Sequence, residues 1–337
     1  MTTSIIMLFI VASLATVLLA GCKKGNEKTF FDIDNTSVIR GVFSIVIVLV
    51  HIPEGYRNPI QDIVGSFAYI GVTFFFMTSA YGLMLTYMRN PDSIKRFWGK
   101  RIVKLLVPMV LVNIIVFILT CVCLKEWDFS ALISINRWVR QLVLFYFIYW
   151  LVFRFTKAKM TLKVLIVCAL ICVYSLLATK FKDALIFGWP TESLGFVYGL
   201  LLATFRDKFV SFASKKWVFK CAVAFVLSLV FGVMYLKFKS VVFVGDYLLK
   251  LLLGLGIILV ILLANSKLSF SNFASRFLSG ISYEVYLIHS HIFFILSELG
   301  FVTNSGVFIL VGLVATILFA KFVNMIGKLI STPLLKK

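Results

Sequence analysis

Apolar residues run through this chain in stretches of about 20, the length that crosses a bilayer as a helix, with short polar and basic segments between them. The pattern predicts helices near residues 4–21, 36–52, 66–88, 102–124, 138–155, 162–179, 185–204, 217–236, 243–264, 275–298 and 305–330. The connecting loops are too short to hold a soluble domain. The expected fold class is therefore all-α, a polytopic transmembrane helix bundle of ten core helices plus one extra N-terminal helix. One of these stretches breaks its own pattern. VIRGVFSIVIVLVHI, residues 38 to 52, carries Arg40 near one end and His51 near the other. An arginine at membrane depth costs about 3 kcal/mol on insertion scales, so an ionisable residue there is a functional candidate by default.

Composition agrees with the pattern: 61% of the 337 residues are hydrophobic and 14% charged, with a mean hydropathy of +1.03. That does not describe a soluble domain of this size. The net charge of +20 would suggest nucleic acid in a soluble protein. Here its placement decides otherwise. If the chain is cytoplasmic just before Arg40, the alternate segments 23–40, 89–104, 154–163, 206–220, 267–276 and 321–337 hold 25 of the 34 Lys and Arg. The positive-inside rule then orients the protein, and the basic excess is mostly topology. No nucleic-acid partner is expected; the lipid bilayer is.

LLAGC at residues 18 to 22 resembles a lipoprotein cleavage box, after which Cys22 would be lipidated outside. MTTSIIML lacks the positive n-region of a signal peptide, and Lys23, Lys24 and Lys28 mark the next segment as cytoplasmic. The two topologies exclude each other, and the charge rule favours an uncleaved helix with its N-terminus outside. Cys121, Cys123, Cys168, Cys172 and Cys221 fall in apolar spans with neither zinc spacing nor a disulfide framework. They read as small packing residues, and no metal site is expected.

Eleven helical steps of 100° leave Arg40 and His51 about 20° apart in azimuth and about 16 Å apart in height. They share one face, with Ser44 and Ile47 on the turns between them. Pro53 ends the helix. Taken singly, a histidine at a helix end is usually a structural hydrogen-bonder and a boundary arginine a snorkelling anchor. Their joint spacing says more.

R-G-x(9)-H in a first core helix resembles the signature of membrane-bound acyltransferase family 3, which acylates sugars and other hydroxyl acceptors. Three further segments resemble that family in order. GVTFFFMTSAYGL at 71 to 83 is similar to its GVxxFFxxSG segment, KRIVKLLVP at 100 to 108 to its basic RxxR-hydrophobic-Pro segment, and LSGISYEVYLIHSHIFF at 278 to 294 to its late SYxxYLxH motif. The likeness spans about residues 30–330 and leaves 1–22 as a separate N-terminal hydrophobic segment, either an extra helix or signal-like. Three departures stand out. Lys104 replaces the second arginine, SG reads Ser79-Ala80, and the WSLxxE segment of many sugar O-acyltransferases is absent, with QLVLFYFIYWLVF at 141 to 153 in the place of a Trp-Phe-rich helix.

The resemblance implies transfer of an acetyl group from cytoplasmic acetyl coenzyme A, a co-substrate and not a bound cofactor, to a hydroxyl of an envelope or surface polysaccharide or its lipid-linked precursor. The location implied is the bacterial inner membrane, crossed many times. Such chemistry needs a base for the hydroxyl proton or a nucleophile for the acyl group, together with donors for the developing oxyanion. His51 can serve either way, with general base preferred, and Arg40 is its partner in the catalytic set. Lys100, Arg101 and Lys104 are candidates for the coenzyme A phosphates. Membrane anchoring weighs more for Lys95, Arg96 and Lys100, binding more for Arg40 and Arg101. Ser282, Tyr286 and His289 fall on one helical face. With Tyr283 and Ser79 they form the site-supporting set, while Glu284 and His291 read as structural hydrogen-bonders. Glu192, after Trp189-Pro190, reads as interfacial.

A polytopic transporter or flippase of lipid-linked sugars would also be basic and carry buried polar residues. The sequence shows no paired broken helices in corresponding halves, and eleven spans suit ten plus one better than two equal halves. A non-catalytic scaffold of an envelope-polysaccharide complex is the third reading. The Arg40 and His51 pair argues against it.

Overall fold

The computed structural model describes residues 2–181, 188–300 and 302–336. Among these, eight helices are long and apolar enough to cross a membrane, and the chain is a polytopic helical membrane bundle. The helices used below are α1 (Thr2–Leu19), α2 (Ile33–Leu49), α3 (Ala68–Arg89), α4 (Phe97–Leu119), α5 (Arg137–Phe155), α6 (Met160–Lys180), α7 (Leu194–Thr204), α8 (Trp217–Phe238), α9 (Lys250–Asn265), α10 (Phe273–Gly280), α11 (Ser282–Leu299) and α12 (Ser305–Lys336). Four of them, α2, α7, α10 and α11, are not among the eight; α7 and α10 are too short. At 17 residues α2 is short, and α11 spends its hydropathy on Ser282, Glu284, His289, Ser290 and His291.

Three expected helices differ from what is seen. The stretch 36–52 becomes Ile33–Leu49: Asp32 caps its start by accepting from Asn35 N at 2.8 Å, and its end comes before His51. Ile52 precedes Pro53 and is pushed out of the α region. His51 therefore sits in a turn closed by His51 N to Val48 O at 3.0 Å. The stretch 275–298 is two helices, α10 and α11, separated at Ile281 after Gly280. For 185–204, residues 182–187 lie outside the described residues, Trp189 to Ser193 form a turn around Pro190, and only Leu194–Thr204 is helical. Eleven residues rise about 16 Å, roughly half of the hydrocarbon thickness.

Tertiary contacts sort the chain ends of the helices into two sets. Lys23–Lys24 pairs antiparallel with Leu268–Ser269, Arg206 donates to the Glu27 carbonyl, and Phe31 N donates to Asn265 Oδ1 at 2.5 Å. All these segments fall on the side that the charge pattern makes basic. On the other side Ser305 donates to Tyr56 O at 2.6 Å, Asn58 to Ser305 at 3.0 Å and Lys239 to Ser66 at 3.1 Å. Thr3 of α1 reaches Asn304 at 3.3 Å in that second set. At the basic end, the Asn272 amide donates to Val17 O and Ala20 O, both at 2.7 Å, and occupies carbonyls that a helix terminus leaves free. Gly21 has φ +81° with the Ser271 carbonyl against it, so a side chain there would both strain and overlap.

Helix α3 is fixed by α7. A Cβ on Gly195 would overlap the Thr73 carbonyl and one on Gly199 the Met77 carbonyl. This G-x-x-x-G spacing lets two apolar helices touch backbone to backbone, where dispersion replaces the absent hydrophobic drive. Ala80, which departs from the family's glycine, has its Cβ against Gly199, where the facing residue has no side chain to clash with it. Below α7 the buried Glu192 carboxylate takes Lys250 Nζ at 2.6 Å and the Thr191 hydroxyl at 3.0 Å. Glu192, read from the sequence as interfacial, is 3% exposed. Tyr69 Oη donates to Lys250 O at 3.0 Å and ties the same corner to α3.

Candidate active site

Past Leu49, the last carbonyls of α2 have no intrahelical donors. The Gln61 amide, from the short helix Pro59–Gly65, donates to Leu49 O. His51 Nδ1 lies 2.9 Å from Ile47 O. On α11, His289 Nδ1 lies 3.0 Å from Val285 O in the same i to i−4 arrangement. A carbonyl only accepts, so each Nδ1 carries its hydrogen and each neutral ring is left with an accepting Nε2. His289 Nε2 is 3.1 Å from His51 Nδ1. The result is a directed chain. Val285 O holds the His289 proton, His289 Nε2 accepts from His51 Nδ1–H together with Ile47 O, and His51 Nε2 is left as a lone pair with no partner among the described residues. His289 is 3% exposed, whereas His51 is exposed. In this arrangement the buried ring can orient and the exposed ring can present a base.

Arg40 faces the same helix lower down, with Nη2 donating to Ser282 Oγ at 3.3 Å. Ser282 can accept because its own hydrogen goes to Ser279 O at 2.9 Å. The break between α10 and α11 makes this possible by placing Ser282 at the first turn of a new helix. The Arg40 guanidinium also lies over the Phe75 ring at 5.7 Å, and Tyr146 and Glu284 are within its electrostatic reach. The helical-wheel expectation of one shared face thus holds in a modified form. Arg40 from the helix and His51 from the turn beyond it both meet α11.

Arg101 on α4 turns inward, its guanidinium 5.9 Å from the Phe97 ring and 5.8 Å from the Tyr146 ring. Tyr146 Oη in turn pairs with Ser79 Oγ at 3.1 Å. Arg40, Arg101, Ser79 and Ser282 are therefore gathered around Tyr146 and Phe75, while Lys100 and Lys104 are exposed on the same turn of α4. Tyr283 is a positioning residue. Pro108 removes the N–H that would bond the Lys104 carbonyl, and one residue on, the Leu105 carbonyl receives Tyr283 Oη at 2.9 Å. Tyr286 packs between Trp138, at 5.2 Å, and His289, at 5.8 Å.

Glu284 accepts from Asn324 of α12 at 2.8 Å, the structural bond expected of it. His291 is exposed and makes no hydrogen bond among the described residues. The sequence reading passed over Tyr146, Trp138 and Phe75. Each sits in an apolar run where an aromatic reads as lipid-facing or core. The signal for Tyr146 and Trp138 was the aromatic density of α5, where the family would carry a Trp-Phe-rich helix.

A hydroxyl oxygen brought to His51 Nε2 would lose its proton to a base whose other nitrogen is already held. A ligand with negative charge would meet Arg40 and Arg101 on the basic side of the same row. Such a pairing of a base with an anion-binding end can support group transfer. The family model described as an acyltransferase domain, acyltransferase family 3, matches residues 32–324, and the chain belongs to that family. Its membership makes this chain a membrane acyltransferase. Comparison with curated proteins and with solved structures gives no match.

Proposed function

We propose that this chain moves an acetyl group from cytoplasmic acetyl coenzyme A to a hydroxyl of an envelope or surface polysaccharide, or of its lipid-linked precursor, at the bacterial inner membrane. The observation that carries the reading is the free Nε2 of His51, whose ring is held through Nδ1 by His289 and Ile47 O, against the same helix α11 that Arg40 meets. His51 Nε2 takes the acceptor's hydroxyl proton as that oxygen attacks the thioester carbonyl carbon. The imidazolium so formed keeps its Nδ1–H bonds to two acceptors, which stabilises it as an orienting group does in a catalytic triad. Collapse of the tetrahedral intermediate breaks the carbon–sulfur bond, and the proton passes from His51 to the departing thiolate.

Arg40 and Arg101 bind the phosphates of the donor through charge-assisted hydrogen bonds, supported by the basic segment 89–104. Ser79, Ser282, Tyr283, Tyr286 and His289 hold this arrangement. The general-base route is preferred to an acyl-imidazole because the acceptor proton then has a destination in the same step. The test is mass spectrometry of surface glycans from cells with and without the gene. A mass increment of one acetyl group supports the reading. Glycans of unchanged mass whose export fails would point to a transporter.

A further inference from the structure

Trp138 is 7% exposed, and its indole Nε1–H is buried without a hydrogen-bond partner among the described residues. Indole nitrogen only donates, and a buried donor left unmade is costly enough that native folds seldom keep one without a use. Arg40 Nε is a second buried donor in the same condition. The two are neighbours through one ring. Arg40 lies over Phe75 at 5.7 Å, and Phe75 meets Trp138 at 6.4 Å.

From Trp138 the ring contacts continue to Tyr286 at 5.2 Å, from Tyr286 to His289 at 5.8 Å and from His289 to His51 at 4.7 Å. Along α11 the order is Ser282 beside Arg40, Tyr283 and Tyr286 beside Trp138, then His289 beside His51. Trp138 thus stands between the anion-binding end and the base. Its place is set by the Asn136 cap, whose side-chain oxygen accepts Trp138 N at 2.9 Å.

Arg40 and His51 meet α11 at Ser282 and His289, seven residues and so about 10.5 Å of helical rise apart. A thioester donor of the coenzyme A type joins its phosphates to its sulfur by an extended chain of some fourteen bonds that contains two amides. At about 3.5 Å per three bonds, that chain reaches up to roughly 16 Å, more than this span, so a donor with phosphates near Arg40 can deliver its acyl group near His51. Its amide carbonyls then pass the row of rings, where they need donors. We propose that Trp138 binds the acyl donor, its indole N–H donating to a carbonyl oxygen of the donor's amide-containing arm where that arm lies along α11. This inference rests on the thioester-donor reading above and adds a residue and a path to it.

Isothermal titration of the detergent-purified full chain tests it, with acetyl coenzyme A and with 3′-phospho-ADP, the half that lacks the arm. Trp138→Phe keeps an aromatic ring facing Phe76, Tyr283 and Tyr286 and removes the N–H together with part of the ring's bulk. The variant should bind acetyl coenzyme A about tenfold more weakly, the order expected for one hydrogen bond, and bind 3′-phospho-ADP as the wild type does. Unchanged binding of acetyl coenzyme A overturns the proposal. An equal loss for both ligands also overturns it, because the indole would then serve the fold. A wild-type protein that binds neither ligand overturns the donor reading itself, before any variant is compared.

Discussion

His51 and His289 meet edge to face, with ring centroids 4.7 Å apart and planes at 67°. Nδ1 of the first stands 3.1 Å from Nε2 of the second. They come from opposite ends of the chain, His51 from the turn after α2 and His289 from the middle of α11. Because both Nδ1 atoms also face backbone carbonyls, the direction of the hydrogen bond between them is set by the backbone. In the proposed mechanism the pair is a base and its orienting group, and it cannot exchange those roles without losing one carbonyl bond.

The orienting role of His289 is separable from the base. His289→Phe keeps an aromatic ring beside Tyr286 and removes the acceptor for His51 Nδ1–H. The turnover number should fall by about tenfold to a hundredfold, less than the 10² to 10⁴ of a lost general base, with donor affinity unchanged. His289→Gln, whose amide oxygen can accept the same hydrogen, should recover part of the rate. Steady-state kinetics of the two variants decide it; equal losses would mean that acceptance at Nε2 is not what His289 supplies.

Arg101 and the exposed lysines of the same turn should differ in donor binding. Arg101→Ala should weaken acetyl coenzyme A binding by up to about 3 kcal/mol, the range for one charge-assisted contact. Lys100→Ala and Lys104→Ala should each cost about 1 kcal/mol or less, as exposed charges do. Added salt should weaken binding throughout. Titration calorimetry at two ionic strengths reads all three, and a larger effect at Lys104 than at Arg101 would reverse the assignment.

Close contact of α7 with α3 sets the position of Phe75 and Ser79. Gly195→Val should push the helices apart and lower stability by about 1–3 kcal/mol, seen as a lower unfolding midpoint in detergent. Gly232→Ala is the control, since its added Cβ would meet only Leu253 Cδ1 at 3.8 Å. Equal midpoints for the two variants would show that the G-x-x-x-G contact is not what holds α3.

The charge pattern predicts that residues 23–34 face the cytoplasm with α1 retained, and the Lys23–Lys24 ladder to Leu268–Ser269 predicts that 268–272 does too. Single cysteines placed in either segment should resist an impermeant thiol reagent in intact cells. A lipid thioether on Cys22, or labelling of one segment without the other, would contradict this topology.

The run of apolar stretches made the helical bundle legible, because hydropathy over about 20 residues reports membrane spanning directly. It did not show the break after Gly280, since a single glycine in an apolar helix is tolerated as often as it interrupts. Nor did it show that α2 stops two residues before His51. The four motifs supplied Arg40, His51, Ser282 and His289, but a helical wheel gives one helix's face and not which faces meet across the 238 residues between His51 and His289. Trp138 and Tyr146 stayed hidden for a related reason. In a chain with 16% aromatic residues, an aromatic in a span carries no signal until its neighbours are known.

Release of free coenzyme A thiol by purified protein, with acceptor glycan present, tests the central claim most directly when wild type and His51→Ala are compared at saturating acetyl coenzyme A. The site described here predicts a rate 10² to 10⁴ lower for His51→Ala, with acetyl coenzyme A affinity and membrane abundance close to those of the wild type. A His51→Ala protein that binds the donor normally and still releases thiol at the wild-type rate would contradict it.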